Sequence, residues 1–249
     1  VRTRVGLRTV TIEDGVFKVN GRPVKLRGVC RHEIHPDAGR ALREEHWRED
    51  IRLMKAANIN AVRTSHYPTH ERFMELCDEA GLYVIDEVPI GFGDRYLNIP
   101  DMRGTMLARA EETVARDRNH PSVVVWSIGN ENPLTVNIER TAREVKLLDP
   151  ERPVLYPGGN FNGALNDRTN TGHSSFVDIL SRHYPTNTEM DQYARERTYR
   201  IPWIFTEINH ALHNGFDDWR AKVELIEKTD GFAGGMIWLW AAILSGPHV

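Results

Sequence analysis

The stretch Ser122-Val123-Val124-Val125-Trp126-Ser127-Ile128-Gly129-Asn130-Glu131-Asn132 constrains this chain more than any other. Continuous rather than alternating hydrophobicity is what a strand covered on both faces needs, and parallel sheets under helical crossovers bury both faces. The run ends abruptly in polar residues. Beyond the carboxyl end of a buried parallel strand lies the edge at which α/β folds bind ligands and barrel enzymes hold reactive groups. Gly129, Asn130 and Glu131 are equally ordinary residues for turning a chain and capping the next helix. On this stretch alone both readings stand.

The surrounding sequence repeats the pattern. An opening segment, Arg8 to Val24, alternates apolar and polar residues around the turn signals Asp14-Gly15 and Asn20-Gly21, which predicts a β-hairpin that lids one end of the fold. From Val24 onward the rhythm is strand, loop, helix. Helices are predicted over His46–Ala57, Glu71–Ala80, Thr105–Asp117, Thr135–Leu148, Asp191–Thr198 and Asp217–Lys228, with Gly81 ending the second in the left-handed conformation. Strands after the first are predicted at Ile59–Val62, Leu82–Asp86, the run above, Pro153–Tyr156, Val177–Leu180, Pro202–Phe205 and Gly235–Trp240; the Gly158–Gly163 segment reads as loop. Eight such units in 249 residues predict an α/β fold of (β/α)8 TIM-barrel type with an N-terminal β-hairpin. Residues 1–23 form the hairpin and linker, and 24–249 the barrel. The few residues after Trp240 are too short for a final helix, so the reading is of a fragment of a longer multidomain chain.

Several function classes fall away. The formal charge of −3 is spread without a basic stripe, so nucleic acid is not an expected partner. No apolar stretch is long enough to span a bilayer, and Val1-Arg2-Thr3-Arg4 lacks a signal peptide's apolar segment, which favours a cytoplasmic protein without a membrane partner, although an upstream segment is implied by the missing Met. There is no GxGxxG or phosphate-binding loop. Cys30 and Cys77 have no zinc-type spacing and read as packing residues.

In a barrel, the strand ends name the pocket: His32 and Glu33; Arg63, Ser65 and His66; Asp86 and Glu87; Asn130 and Glu131; Tyr184; Glu207, Asn209 and His210; Trp238. Glu131 after the fourth strand and Glu207 after the seventh face each other across a mouth rich in His, Arg, Tyr and Trp. Paired carboxyl groups beside an aromatic platform suit glycosidic bond cleavage. For the lone histidines and for Trp238 the ordinary alternative is a structural or core role, and for Asp86, Glu87 and Glu33 it is an ion pair with an arginine such as Arg63.

The ordered motifs Arg27-Gly28-Val29 with Arg31-His32-Glu33, Arg63-Thr64-Ser65-His66-Tyr67-Pro68, Asp86-Glu87, His120-Pro121-Ser122 leading to Gly129-Asn130-Glu131, Thr206-Glu207, and Gly234-Gly235-Met236-Ile237-Trp238 resemble those of glycoside hydrolase family 2. That family includes β-galactosidases and β-glucuronidases and has a TIM-barrel catalytic domain. The resemblance implies a retaining exo-β-glycosidase acting on a carbohydrate substrate, with Glu131 as acid/base and Glu207 as nucleophile about 5–5.5 Å away. At that spacing the ionised nucleophile is expected to raise the pKa of Glu131. It further implies that Tyr184 bonds the nucleophile, Arg63 keeps it ionised, Asn130 holds the sugar 2-hydroxyl, and His32, His66, His210 and Trp238 line the sugar pocket, with Glu87 in support.

Metal-dependent members carry Glu and His ligands after the third-strand Asp-Glu pair. Here that stretch is Val88-Pro89-Ile90-Gly91-Phe92-Gly93, and glycine offers no ligand, so no metal and no cofactor are expected. The sequence contains no Asn-x-Lys pair that could receive a uronic carboxylate. The family's flanking β-sandwich domains are absent, so such domains, or a homo-oligomer, are expected of the full-length protein. The alternatives are a retaining endo-β-glycanase and an inactive carbohydrate-binding barrel.

Overall fold

The computed structural model describes residues 5–91, 97–157, 176–195, 201–210 and 218–240. The organising run is a strand, β7 (Val123–Asn130), buried at every position. It lies between β6 (Tyr83–Gly91) and β8 (Val154–Leu155), and the order continues through β5 (Ala61–Thr64), β4 (Leu26–Arg31), β11 (Phe232–Ile237), β10 (Trp203–Ile208) and β9 (Leu180–His183). Neighbouring strands in this sheet pair in parallel. A parallel bridge between Leu155 and Ile179 closes the ring. This is the eight-stranded barrel the repeat predicts.

Helices α1 (Glu44–Ala56), α2 (Glu71–Ala80), α3 (Met102–Asp117) and α4 (Val136–Leu148) follow β4 to β7; α5 (Asn187–Arg195) follows β9 and α6 (Trp219–Lys228) follows β10. Their termini are set by local chemistry. The Thr135 hydroxyl accepts from the Ile138 N–H at the start of α4, and Gly81 ends α2 at φ 68° with its N–H on the Cys77 carbonyl.

Strand alternation divides the core in two. Outward residues such as Val62, Val84, Val123 and Trp126 pack under α1 to α4 with Trp47, Met54, Phe73 and Val114. Inward residues such as Leu26, Ala61, Ile85, Val125, Ile204 and Met236 fill the barrel, and they share one apolar cluster with Val10, Phe17 and Val19 of the hairpin β1 (Val10–Glu13) and β2 (Val16–Val19), which β3 (Arg22–Pro23) extends. The hairpin therefore plugs the amino-terminal end of the barrel; burying Phe17 alone contributes roughly 1.5–3 kcal/mol. Gly234, at φ 149°, lets β11 approach β4, since a Cβ there would sit 2.2 Å from the Leu26 carbonyl oxygen.

Boundaries differ from expectation at two strands that shape the site. Strand six begins at Leu180 rather than Val177 and runs to His183, and the last strand ends at Ile237, leaving Trp238 just beyond it. Gly158–Gly163, the end of the helix predicted to Thr198, the start at Asp217, Phe92 and Gly93, and the segment after Trp240 lie outside the described residues. Both cysteines are buried. Burial pushes the Cys30 thiol up to about 12, which suits packing rather than nucleophilic chemistry. Among the described residues no helix is long and apolar enough to cross a membrane.

Candidate active site

Period-two alternation decides which strand-end residues enter the barrel. Ile85 points inward, so Glu87 does too, while Asp86 faces the helix layer. There the Asp86 carboxyl lies against Asp117 of α3. Burial and that second carboxyl push its pKa well above the usual carboxylate range. Asp86 is therefore not a pocket residue, which corrects the sequence reading.

Arg63, fully buried on β5, is the hub of the site. Its Nε and Nη2 donate to Glu87 at 2.9 and 3.1 Å, its Nη1 to Glu207 Oε1 at 2.9 Å, and its Nη2 to Asn130 Oδ1 at 2.6 Å. One guanidinium thus ties together the ends of β5, β6, β7 and β10. Burial opposes its charge, but Glu87, Cys30 and Glu207 outweigh that and hold the guanidinium above its ordinary value. Burial likewise pushes Glu87 up, while Arg63, His66 and Ser127 bring it below the usual range; Ser127 Oγ donates to it at 2.8 Å. Glu87 is an ion-pair strut, the plainer of its two readings. Glu33 is another, accepting from Arg31 at 2.7 Å, from the Trp47 indole at 3.1 Å and from Thr69.

The Glu207 carboxyl, buried at the end of β10, receives the Tyr184 hydroxyl on Oε2 at 2.5 Å in addition to Arg63 on Oε1. Burial and the adjoining Glu207 push the Tyr184 phenol up, so it stays a donor. Glu131 stands opposite, half-buried, immediately after β7. Gly129 at φ 69° and Glu131 at φ 49° turn the chain inward, and a Cβ at position 129 would meet Asn132 Oδ1 at 2.3 Å. Left-handed non-glycine residues recur around this rim, at Tyr184 and Asn209. Such conformations cost of order 1–3 kcal/mol and gather at functional sites.

Between the two carboxyls lies a residue the sequence reading passed over. His183 Nδ1 is 3.2 Å from Glu131 Oε1 and 3.6 Å from Glu207 Oε1. One ligand atom from each of Glu131, His183 and Glu207 lies within 4.8 Å of the others, so these are the described residues grouped closely enough to hold a cation. The hydrogen bond from His183 sets the Glu131 carboxyl below the usual range, overcoming burial. That reverses the upward shift expected from Glu207. The signal that could have found His183 is its place directly before Tyr184, which a strand ending at Leu180 put out in a loop.

The Trp238 indole and three histidine rings lie together. The Trp238 indole stacks on His66 at 5.1 Å between centroids, and its contacts with His32 and His210 are at 5.5 and 6.4 Å. His66 Nδ1 also meets Glu87 at 3.1 Å, and His32 Nδ1 meets the Tyr67 hydroxyl at 3.1 Å. Burial and the neighbouring His66 lower the His32 pKa to about 4, so its ring is neutral near pH 7. Asn130 Nδ2 is buried without a hydrogen-bond partner among the described residues. A buried orphan donor beside two carboxyls invites a ligand acceptor.

Chemically, the arrangement offers one deeply buried carboxyl gripped by a cation and a phenol, and a second, more accessible carboxyl nearby. One oxygen of each carboxyl lies within 4.8 Å of the other.

Residues 10–246 match the family model described as glycosyl hydrolases family 2, TIM barrel domain. The β-galactosidase of Vibrio cholerae serotype O1 is 38% identical over 246 residues, covering 95% of this chain and 24% of that protein. The β-galactosidase of Staphylococcus xylosus is 33% identical over 255 residues, with 96% and 25% covered. Among solved structures, apo β-glucuronidase from Ruminococcus gnavus superposes with a TM-score of 0.84 at 25% identity, over 100% of this chain and 49% of that one. The family 2 β-galacturonidase from Eisenbergiella tayi, bound to galacturonate, gives 0.80 at 25% identity over 95% and 47%. The chain thus spans about a quarter of the length of the curated relatives it matches.

Proposed function

The chain belongs to glycosyl hydrolase family 2, and on that premise we propose that it is the catalytic barrel of a retaining exo-β-glycosidase that removes terminal β-linked sugars. The observation that carries this reading is the Glu131/Glu207 pair at the carboxyl ends of β7 and β10, one oxygen of each lying within 4.8 Å of the other. Glu207 attacks the anomeric carbon, and the glycosidic C–O bond breaks as Glu131 delivers its proton to the leaving oxygen. Water then attacks the glycosyl-enzyme ester, Glu131 takes the water's proton, and the sugar leaves with its configuration kept. Arg63 and Tyr184 hold Glu207 in line through contacts at 2.9 and 2.5 Å. The orphan Nδ2 of Asn130 serves the sugar 2-hydroxyl. Trp238, His66, His32 and His210 form the platform and wall of the pocket.

A β-galactoside is the first substrate to try, because the curated relatives named here are β-galactosidases. A β-uronide is the second, since the solved relatives named here act on glucuronides or galacturonides. The hairpin that follows residue 9 plugs the barrel, and flanking domains or a second subunit complete the whole protein. A panel of aryl β-glycosides, with the first-formed product followed by proton NMR, tests the reading. Release of one sugar as its β-anomer is expected; release as the α-anomer, or hydrolysis of none, overturns it.

A further inference from the structure

His183 is two per cent exposed at its side chain, ends β9, and points Nδ1 at both carboxyls, 3.2 Å from Glu131 Oε1 and 3.6 Å from Glu207 Oε1. Its other nitrogen, Nε2, is buried with no hydrogen-bond partner among the described residues. That asymmetry selects between the two neutral tautomers: a proton on Nε2 would be stranded without an acceptor, whereas a proton on Nδ1 faces the carboxyls and leaves only a lone pair unmet at Nε2. A neutral Nδ1–H can donate to Glu131.

Resting on the reading above, we propose that His183 is a positioning residue for the acid/base: it pins Glu131 Oε1 as a hydrogen-bond acceptor, so that the proton exchanged with the leaving group and with water is carried on Oε2. A carboxylic acid still accepts through its carbonyl oxygen, so the same contact persists in both protonation states of Glu131. The donor favours the carboxylate form over the acid. That contact makes Glu131 a stronger acid and a weaker base, and lowers the pH at which its acid form is lost, so its benefit to both steps is the placement of Oε2. The lowered pKa of the Glu131 carboxyl has this contact as its foremost cause, with burial opposing it and with His66 and Arg63 adding smaller contributions in the same direction. The other ionisable groups facing the pair are Glu207 from β10 and Tyr184, the residue after β9.

The test uses three variants. His183→Asn keeps an N–H near the place of Nδ1, His183→Phe removes it, and His183→Gln moves it toward Nε2. With the 4-nitrophenyl glycoside of the preferred sugar, the alkaline limb of kcat/KM is set by the acid form of Glu131. It should move up by about one pH unit in His183→Phe and His183→Gln and stay in place in His183→Asn. With the 2,4-dinitrophenyl glycoside, whose departure needs no acid, kcat should fall about tenfold in the same two variants while kcat/KM holds, because only the water-attack step then depends on a correctly placed Oε2. If His183→Phe fails to fold, the Asn and Gln variants carry the same comparison. An unmoved limb in His183→Gln and His183→Phe, or an Asn variant as impaired as they are, overturns the proposal. A 2-deoxy-2-fluoro glycoside separates the two levels of inference. Labelling of wild-type Glu207 with an unmoved limb removes only the role of His183, whereas failure to label it removes the function beneath.

Discussion

Replacing Arg63 with Met is the most informative perturbation of the fold and the site together. The guanidinium is fully buried and touches two carboxyl groups and one amide: Glu87 through two contacts at 2.9 and 3.1 Å, Glu207 at 2.9 Å and Asn130 at 2.6 Å. Met fills the methylene volume but supplies no donor, so two buried carboxyls lose their counter-charge. Breaking one buried ion pair costs about 3–5 kcal/mol, mostly the penalty of the stranded partner. Glu87 keeps Ser127 and His66, and Glu207 keeps Tyr184, so the total should stay near that range rather than double it. For a chain of this size that is a fall in Tm of roughly 6–20 °C. The sign with pH follows from Glu87, whose pKa is lowered on folding. Its stabilisation is present above the unfolded-state pKa and lost as pH falls through the folded one, so the gap between wild type and Arg63→Met should narrow in acid. Adding Glu87→Gln to Arg63→Met should recover part of the loss at pH 7, by about 1–3 kcal/mol. Urea unfolding followed by circular dichroism at pH 7 and pH 4 measures all of this. A penalty below about 1 kcal/mol, or one that neither acid nor Glu87→Gln reduces, would refute the buried-hub reasoning.

Tyr184→Phe removes a 2.5 Å hydroxyl contact on Glu207; a hydrogen bond to a charged group is worth about 1.5–3 kcal/mol, so kcat should fall roughly ten- to a hundredfold with little change in Tm, measured on an aryl glycoside. Asp86→Asn should gain stability relative to wild type as pH rises. The Asp86 pKa is raised by burial and by Asp117, so its favourable contribution is full below the unfolded-state pKa and lost as pH rises through the folded one, and an amide has no such loss; Tm against pH reads it directly.

The barrel was legible because its strands advertise burial. Val123 to Ile128 is an apolar run that no solvent-facing strand would carry, and Gly81 marked a helix end to the residue. Strand six, Leu180–His183, was misplaced for the same reason in reverse. Its first three positions are only half-buried, so apolar character points to the flanking Val177–Leu180 instead. That displacement hid His183. Asp86 was misread although period-two alternation alone separates it from Glu87: neighbours in sequence on a strand face opposite layers. The pKa of Glu131 could not be read from two carboxyls, because its sign depends on a third group that enters from another strand.

The central claim is that Glu207 and Glu131 divide one reaction between them. Incubation with a 2-deoxy-2-fluoro β-galactoside or β-glucuronide bearing a dinitrophenyl leaving group, followed by peptide mapping, tests it most directly. One covalent sugar is expected on the peptide carrying Glu207, with turnover restored slowly as the ester hydrolyses. Label on Glu131, on Glu87 or on any other residue contradicts it.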